Sequence, residues 1–331
     1  MLRIFHGTHY DFIKWWRAMA IATAAFIILG LGATFLRGGL RYSIDFTSGT
    51  LVQLAFKQRP DVAQLRAALD AGGVREAEIT QFGSDREFTV RAQESSANGG
   101  TAGSGAESVA RRVQNVLARR FGAGSFQVVR TEAVGPRVGD ELRHGAVVAV
   151  LASFVLTLVY LWFRFEWRFG VAAVVATAHD IFTTIAFIGL MHIEASLTVI
   201  AAILTVIGYS LNDTIIIFDR VRENLRKHRG MGLYELVNLS VNETLPRSVL
   251  THATTLGATL ALLFFAGEVI RPFAWVMAFG IFTGTFSSIY VASAILIWIE
   301  RRYPRAAVDP RRAAAGARAP VRPADRTLAA S

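Results

Sequence analysis

Six runs of apolar residues, each long enough to cross a hydrocarbon core of about 30 Å as a helix, set the architecture of this chain. They cover Trp16–Leu36, 145–163, 169–191, 196–218, 249–267 and 273–299. Lipid offers no partner to a backbone N–H or C=O, so each run satisfies its own backbone as a helix. Hydrophobic residues make up 53% of the 331. A soluble globular fold is excluded, and an α-helical integral membrane protein with six transmembrane helices is expected.

The first run follows a polar segment carrying Arg3, Lys14 and Arg17, the charge pattern that opens a signal peptide. It is too long for a signal-peptide core and no A-x-A-like cleavage site follows it, so it is expected to stay as an anchor. Orientation follows from the basic residues of the short loops. Arg164 and Arg168 flank the link between runs two and three. Arg220, Arg222, Arg226, Lys227, Arg229 and Arg247 lie between runs four and five, and Arg301, Arg302 and Arg305 follow the sixth. The link around His192 and Glu194 has neither Lys nor Arg. The basic side is expected in the cytosol, with both termini there and the long 37–143 segment outside. The net charge of +10 is then topogenic and lipid-facing, with no need of nucleic acid. The absence of cysteine excludes disulfides, thiolate catalysis and Cys-ligated metals.

Within 37–143 the period changes. Residues 50–56, 77–82, 86–91 and 126–129 read as strands, while 61–69 and 108–121 repeat apolar residues at helical spacing. The order β-α-β-β-α-β is the ferredoxin-like split βαβ arrangement, giving an external α+β domain between spans one and two. Residues 94–106 (ESSANGGTAGSGA) are expected to form a disordered insert. Lys57, Arg59, Arg111, Arg112, Arg119 and Arg120 fit a solvated face better than a binding face. The expected division is a cytosolic segment 1–15, the first span 16–36, the external domain 37–143, a five-helix bundle 144–299 and a basic disordered tail 300–331.

Asp213 bears most directly on function. It sits in SLTVIAAILTVIGYSLNDTIIIF, about 9 Å along the axis from Asp219, where charge resumes. A carboxylate at the centre of a spanning helix costs about 2.5–3.5 kcal/mol on insertion scales, and one that is kept usually marks an ion or proton path. A plainer reading is local pairing near the cytosolic end, for instance with Arg220. The third run holds His179 and Asp180 near its midpoint. They lie about 100° apart around the helix, and a proton relay and a set of packing hydrogen bonds both fit them. No second ligand cluster accompanies them, so no metal site is expected.

The fifth run opens with Pro246-Arg247-Ser248, and Ser248, Thr251, Thr255 and Thr259 share one face, suited to packing or to a wet path. A cation such as Arg247 beside a buried carboxylate shifts that carboxylate's protonation, but spacing does not say whether it reaches Asp213. Gly280 and Gly284, followed by Ser287 and Ser288, form a small-residue strip for helix packing. The spacings Asp219 to Arg222, Glu223 to Arg226 and Glu223 to Lys227 predict that helix four continues beyond the membrane with charge support.

Ordered motifs then accumulate: Ile44-Asp45-Phe46-Thr47 with Gly49, VGPRVGDEL at 134–142, His179-Asp180, IGYSLNDTIIIFDRVRENL at 207–225, NETLPRS at 242–248 and Thr254-Thr255. Over about 42–299 they resemble the SecD/SecF family of the resistance-nodulation-division superfamily. The resemblance implies a subunit of the bacterial Sec protein-export machinery in the inner membrane. That subunit would be paired with SecD, have YajC as a further partner, and use the proton motive force on unfolded preproteins after the SecA/SecYEG step. It implies H+ as coupling ion, with Na+ as the alternative, and no cofactor. Asp213 and Arg247 match the family's proton-path aspartate and arginine, with Asp180 and His179 beside them. Ser48 stands where the first motif usually has a second glycine. Two competing functions remain. A small-molecule or lipid exporter of the same superfamily would need its own substrate cavity, and a non-conducting scaffold would tolerate loss of Asp213. No serine or water-activating metal site supports an intramembrane hydrolase, so no enzyme is expected.

Overall fold

A computed structural model describes residues 8–74, 77–92 and 102–303. A 3-10 turn at Ile13–Trp15 leads into α1 (Trp16–Leu36), and a short α2 (Ile44–Thr47) follows. The small domain comprises β1 (Gly49–Phe56), α3 (Val62–Ala71), β2 (Glu78–Gln81), β3 (Glu87–Ala92), α4 (Ala102–Phe121) and β4 (Phe126–Val134). Five further long stretches complete the chain: α5 (Pro136–Arg164), α6 (Trp167–Leu190), α7 (Leu197–Lys227), α8 (Leu233–Phe265), and a last helix built from α9 (Arg271–Ser287), a π-helical turn (Ser288–Ala292) and α10 (Ser293–Arg302). Among the described residues, six helices are long and apolar enough to cross a membrane.

The small domain has the expected β-α-β-β-α-β order. Its strands form one antiparallel sheet in the order β2-β3-β1-β4. Alternate residues of β1, Val52, Leu54 and Phe56, point to one face and bury against Leu65 and Leu69 of α3 and Val113 and Leu117 of α4, the period-2 to period-3.6 match that makes a two-layer core. One expectation fails. Residues 102–106, read as part of a disordered insert, form the opening of α4. Their two glycines disfavour helix, but the segment is continuous with the turns that bury Val113 and Leu117, and extending a formed helix needs no new nucleus. Residues 94–101 and 304–331 of the expected insert and tail lie outside the described residues.

Two spans extend further than their apolar runs. α7 continues through Lys227, supported by ion pairs Arg220–Glu223, Arg222–Asp219 and Lys227–Glu223. α8 begins at Leu233, so Pro246 lies inside it instead of opening it. The turns before Pro246 bury Leu236, Val237 and Val241. That packing offsets the hydrogen bond the proline cannot donate. The amides of Asn238 and Asn242 also bind the N-terminal segment: Asn242 Oδ1 accepts from Tyr10 N at 2.9 Å, and Asn238 Oδ1 from Phe12 N at 3.0 Å.

In the bundle, α6, α7 and α9 form the centre, while α1 and α5 stand at the rim with 11% and 6% of their spanning windows buried. Close approach rests on glycine. A Cβ on Gly280 would lie 2.2 Å from Val206 Cγ2, and one on Gly284 would lie 2.9 Å from Ser210 Cβ. The strip of α9 therefore packs on α7 within the chain.

The small domain is fastened to the α6–α7 loop. Tyr42 and Ala195 form a parallel bridge, Ser43 N donates to Ala195 O at 2.9 Å, and Arg91 pairs with Glu194 at 2.6 Å. Asp45 Oδ2 accepts the N–H of Leu197 at 3.0 Å, so α2 is bonded to the first turn of α7 beside its Ser196 cap.

Candidate proton path in the bundle

Buried polar residues near the middle of the bundle bond across helix boundaries in two neighbouring groups, around Asp180 and around Asp213. On α6, Asp180 is 0% exposed. Its Oδ1 is 3.0 Å from His179 Nδ1, and its Oδ2 accepts from Ser210 Oγ of α7 and from Ser287 Oγ of α9, the latter at 2.8 Å. His179 turns its other nitrogen to α1, 2.6 Å from Thr23 Oγ1. The roughly 100° step between adjacent residues thus sends His179 to one neighbour and Asp180 to two others, while the pair stays bonded to each other. Four helices meet at this carboxylate and its histidine.

Asp213 lies one turn further along α7 from Ser210 and is 3% exposed. Its Oδ1 accepts from Ser248 Oγ of α8 at 2.5 Å, and its Oδ2 is buried without a hydrogen-bond partner among the described residues. Next to it, Thr214 Oγ1 is 2.8 Å from Ser288 Oγ, the first residue of the π turn, a distortion frequent at functional sites.

The local pairing with Arg220 does not form. Arg220 instead binds Glu243 at 2.7 Å and Glu223 at 2.5 Å. Arg247 is exposed on α8, and no hydrogen bond or ion pair joins it to Asp213 among the described residues. Of the α8 hydroxyls, Ser248 reaches a carboxylate, while those of Thr255 and Thr259 return to carbonyls one turn back, at 2.9 and 2.8 Å. Sequence reasoning missed Ser210 and His252, although both lie three or four residues from groups it singled out. Among the described residues, no three His, Asp or Glu groups come together to hold a metal.

Residues 113–302 match the family described as protein export membrane protein SecD/SecF, C-terminal, and residues 35–58 match the SecD/SecF GG motif. A protein translocase subunit SecF from Gemmatimonas aurantiaca is 59% identical over 306 residues, covering 92% of this chain and 91% of that relative. The chain belongs to the SecF family. A second SecF, from Desulfurispirillum indicum, is 43% identical over 294 residues, covering 87% of this chain and 91% of its own length. Among solved structures, SecDF from Thermus thermophilus, described as a translocon-associated membrane protein, superposes with a TM-score of 0.78 at 40% identity over 89% of this chain. SecDF in a super-membrane-facing form gives 0.64 at 38% identity over 95%. The chain spans 39% and 41% of those two SecDF chains. Like its SecF relatives, it is a multi-pass membrane protein. The GG-motif match includes Ser48, whose φ of +64° and ψ of 169° fall in a region that glycine alone adopts freely.

Proposed function

We propose that this chain is the proton-coupled subunit of a Sec protein-export complex, promoting preprotein translocation across the bacterial inner membrane after the SecA/SecYEG step. The observation that carries this reading is Asp213, enclosed in the bundle with one oxygen held by Ser248 and the other without a hydrogen-bond partner among the described residues. A carboxylate kept ionised there without a bonded cation costs several kcal/mol. A carboxylate that takes up and gives up a proton avoids that cost for half of its cycle. Asp180 and His179, linked through Ser210 to the same face of α7, extend the path. Arg247, adjacent in sequence to the Ser248 that binds Asp213, is the cation available to stabilise the ionised state when α7 and α8 shift.

SecD supplies the matching half of the assembly, in keeping with the share of the SecDF chains that this chain spans. SecYEG, YajC and the unfolded preprotein complete the list of partners, with the small domain facing the emerging polypeptide on the outer side. The basic loops support a reading with both termini in the cytosol. A small-molecule exporter is disfavoured, because the relatives are translocase subunits.

One elementary charge moved through 100 mV supplies about 2.3 kcal/mol, comparable with the insertion cost of the carboxylate. In membrane vesicles containing the chain with its SecD partner, Asp213→Asn is expected to insert and assemble normally but to lose gradient-dependent export, and Asp213→Glu to keep part of it. Comparing proton and sodium gradients identifies the ion. If Asp213→Asn answers the gradient as wild type does, Asp213 is structural and the reading is wrong.

A further inference from the structure

One titratable side chain inside the bundle has no role in the path described so far. His252 lies on α8 four residues beyond Ser248, hence on the same helix face and one turn nearer the small domain. On the facing helix, Tyr209 lies four residues before Asp213, also one turn nearer the small domain. The two rings meet edge to face, with centroids 5.3 Å apart and planes at 75°. Tyr209 OH is fixed by donating to Thr251 O at 3.2 Å. Ser248, four residues before His252, binds Asp213, and Tyr209, four before Asp213, packs on His252, so the imidazole and the carboxylate stand on neighbouring turns of facing helices. Two of the few buried side-chain atoms without a hydrogen-bond partner are His252 Nδ1 and Asp213 Oδ2.

A buried imidazole nitrogen and a buried carboxylate oxygen, neither with a hydrogen-bond partner among the described residues, are placed to exchange a proton directly or through a bridging water. Edge-to-face packing on Tyr209 needs only an aromatic or apolar ring, and phenylalanine would fill it without burying a nitrogen. No ionisable side chain of α9 between 273 and 287 competes for the histidine.

We propose that His252 is the proton donor to Asp213 on the small-domain side of the path. In the transfer, the N–H bond of the imidazolium breaks and an O–H bond forms at Asp213. A cation and an anion thereby become a neutral imidazole and a carboxylic acid. His252 then takes a new proton from the small-domain side. This inference rests on the reading of Asp213 as a proton carrier.

The test uses vesicles holding the chain with its SecD partner and measures gradient-dependent export for His252→Gln, His252→Ala and Asp213→Asn. A general acid contributes about 100-fold or more to a proton transfer, so both histidine variants are expected to lose at least about tenfold of the gradient-driven rate with assembly intact. Imidazole added to His252→Ala should restore the rate in a dose-dependent way. Pyrazole, of equal size but far less basic, should not. Wild-type coupling in His252→Gln overturns the proposal, as does equal rescue by pyrazole, which would mean that the ring only fills space. If the histidine variants couple normally while Asp213→Asn does not, this inference fails and the reading of Asp213 stands. Normal coupling in Asp213→Asn removes that reading and this inference with it.

Discussion

The contact between α7 and α9 can be tested by adding a single carbon. In Gly280→Ala the new methyl would sit 2.2 Å from Val206 Cγ2, 2.7 Å from Cγ1 and 3.0 Å from Cβ. Val206 is 2% exposed, and a β-branched residue in a helix has essentially one rotamer, so it cannot swing aside. The helices must part by about an ångström, and overpacking of this kind costs about 1–3 kcal/mol. Gly284→Ala meets Ser210 Cβ at 2.9 Å and its Cα at 3.2 Å, and backbone yields less than a side chain, so its cost belongs at the upper end of that range. It also displaces the Ser210 and Ser287 hydroxyls from Asp180. Gly257, in α8, has nothing within 4 Å of a Cβ and serves as the control. There alanine is expected to be neutral or to stabilise by up to about 1 kcal/mol through helix propensity. Denaturation by SDS in mixed micelles measures all three. Adding Val206→Ala to Gly280→Ala should recover part of the loss, with a coupling of about 0.5–3 kcal/mol. If Gly280→Ala is no worse than Gly257→Ala, the close approach of α7 and α9 is wrong.

Two further outcomes are expected. Ser48→Gly should stabilise by about 1 kcal/mol, because Ser48 holds a glycine-only conformation that costs about 1–3 kcal/mol and gives up only a long 3.5 Å contact to Gly135 O. Thermal unfolding reads the gain, and a loss would show that the contact matters more than the strain. Asp45→Ala should remove the bond from α2 to the first N–H of α7, leaving the Ser196 cap in place, and cost about 0.5–1.5 kcal/mol. Faster amide exchange at Leu197 and the residues after it would register the change, and unchanged exchange would contradict it.

The membrane spans and the sheet were legible because each is a period problem. Apolar runs have a length, and alternation at 50–56 has a phase. The start of α8 was not legible, because Pro246 reads as a helix opener when taken alone, whereas the preceding turns hold their helix through Leu236, Val237 and Val241 packed in the core. The opening of α4 was hidden by a glycine- and serine-rich composition. Asp213, Asp180 and His179 could be singled out as ionisable groups in apolar surroundings, but their partners could not. Ser210, Ser248 and Ser287 are ordinary small residues until three helices converge, and Arg247 looks like a partner until exposure separates it from Asp213. His252 sits among threonines and was passed over, although its four-residue spacing from Ser248 placed it on the relevant face.

The three attachments of the small domain to residues 194, 195 and 197 have a mechanical consequence. The sheet cannot slide over that loop without breaking them, so the loop moves as the sheet moves. Just before the attachments the chain turns at His192, whose φ is +53°, an uncommon conformation with little freedom to absorb displacement. Strain therefore passes into α7, which is stiff along its axis. From Leu197 to Asp213 is about 24 Å at the helical rise, so the carboxylate and the sheet sit at opposite ends of one short rod.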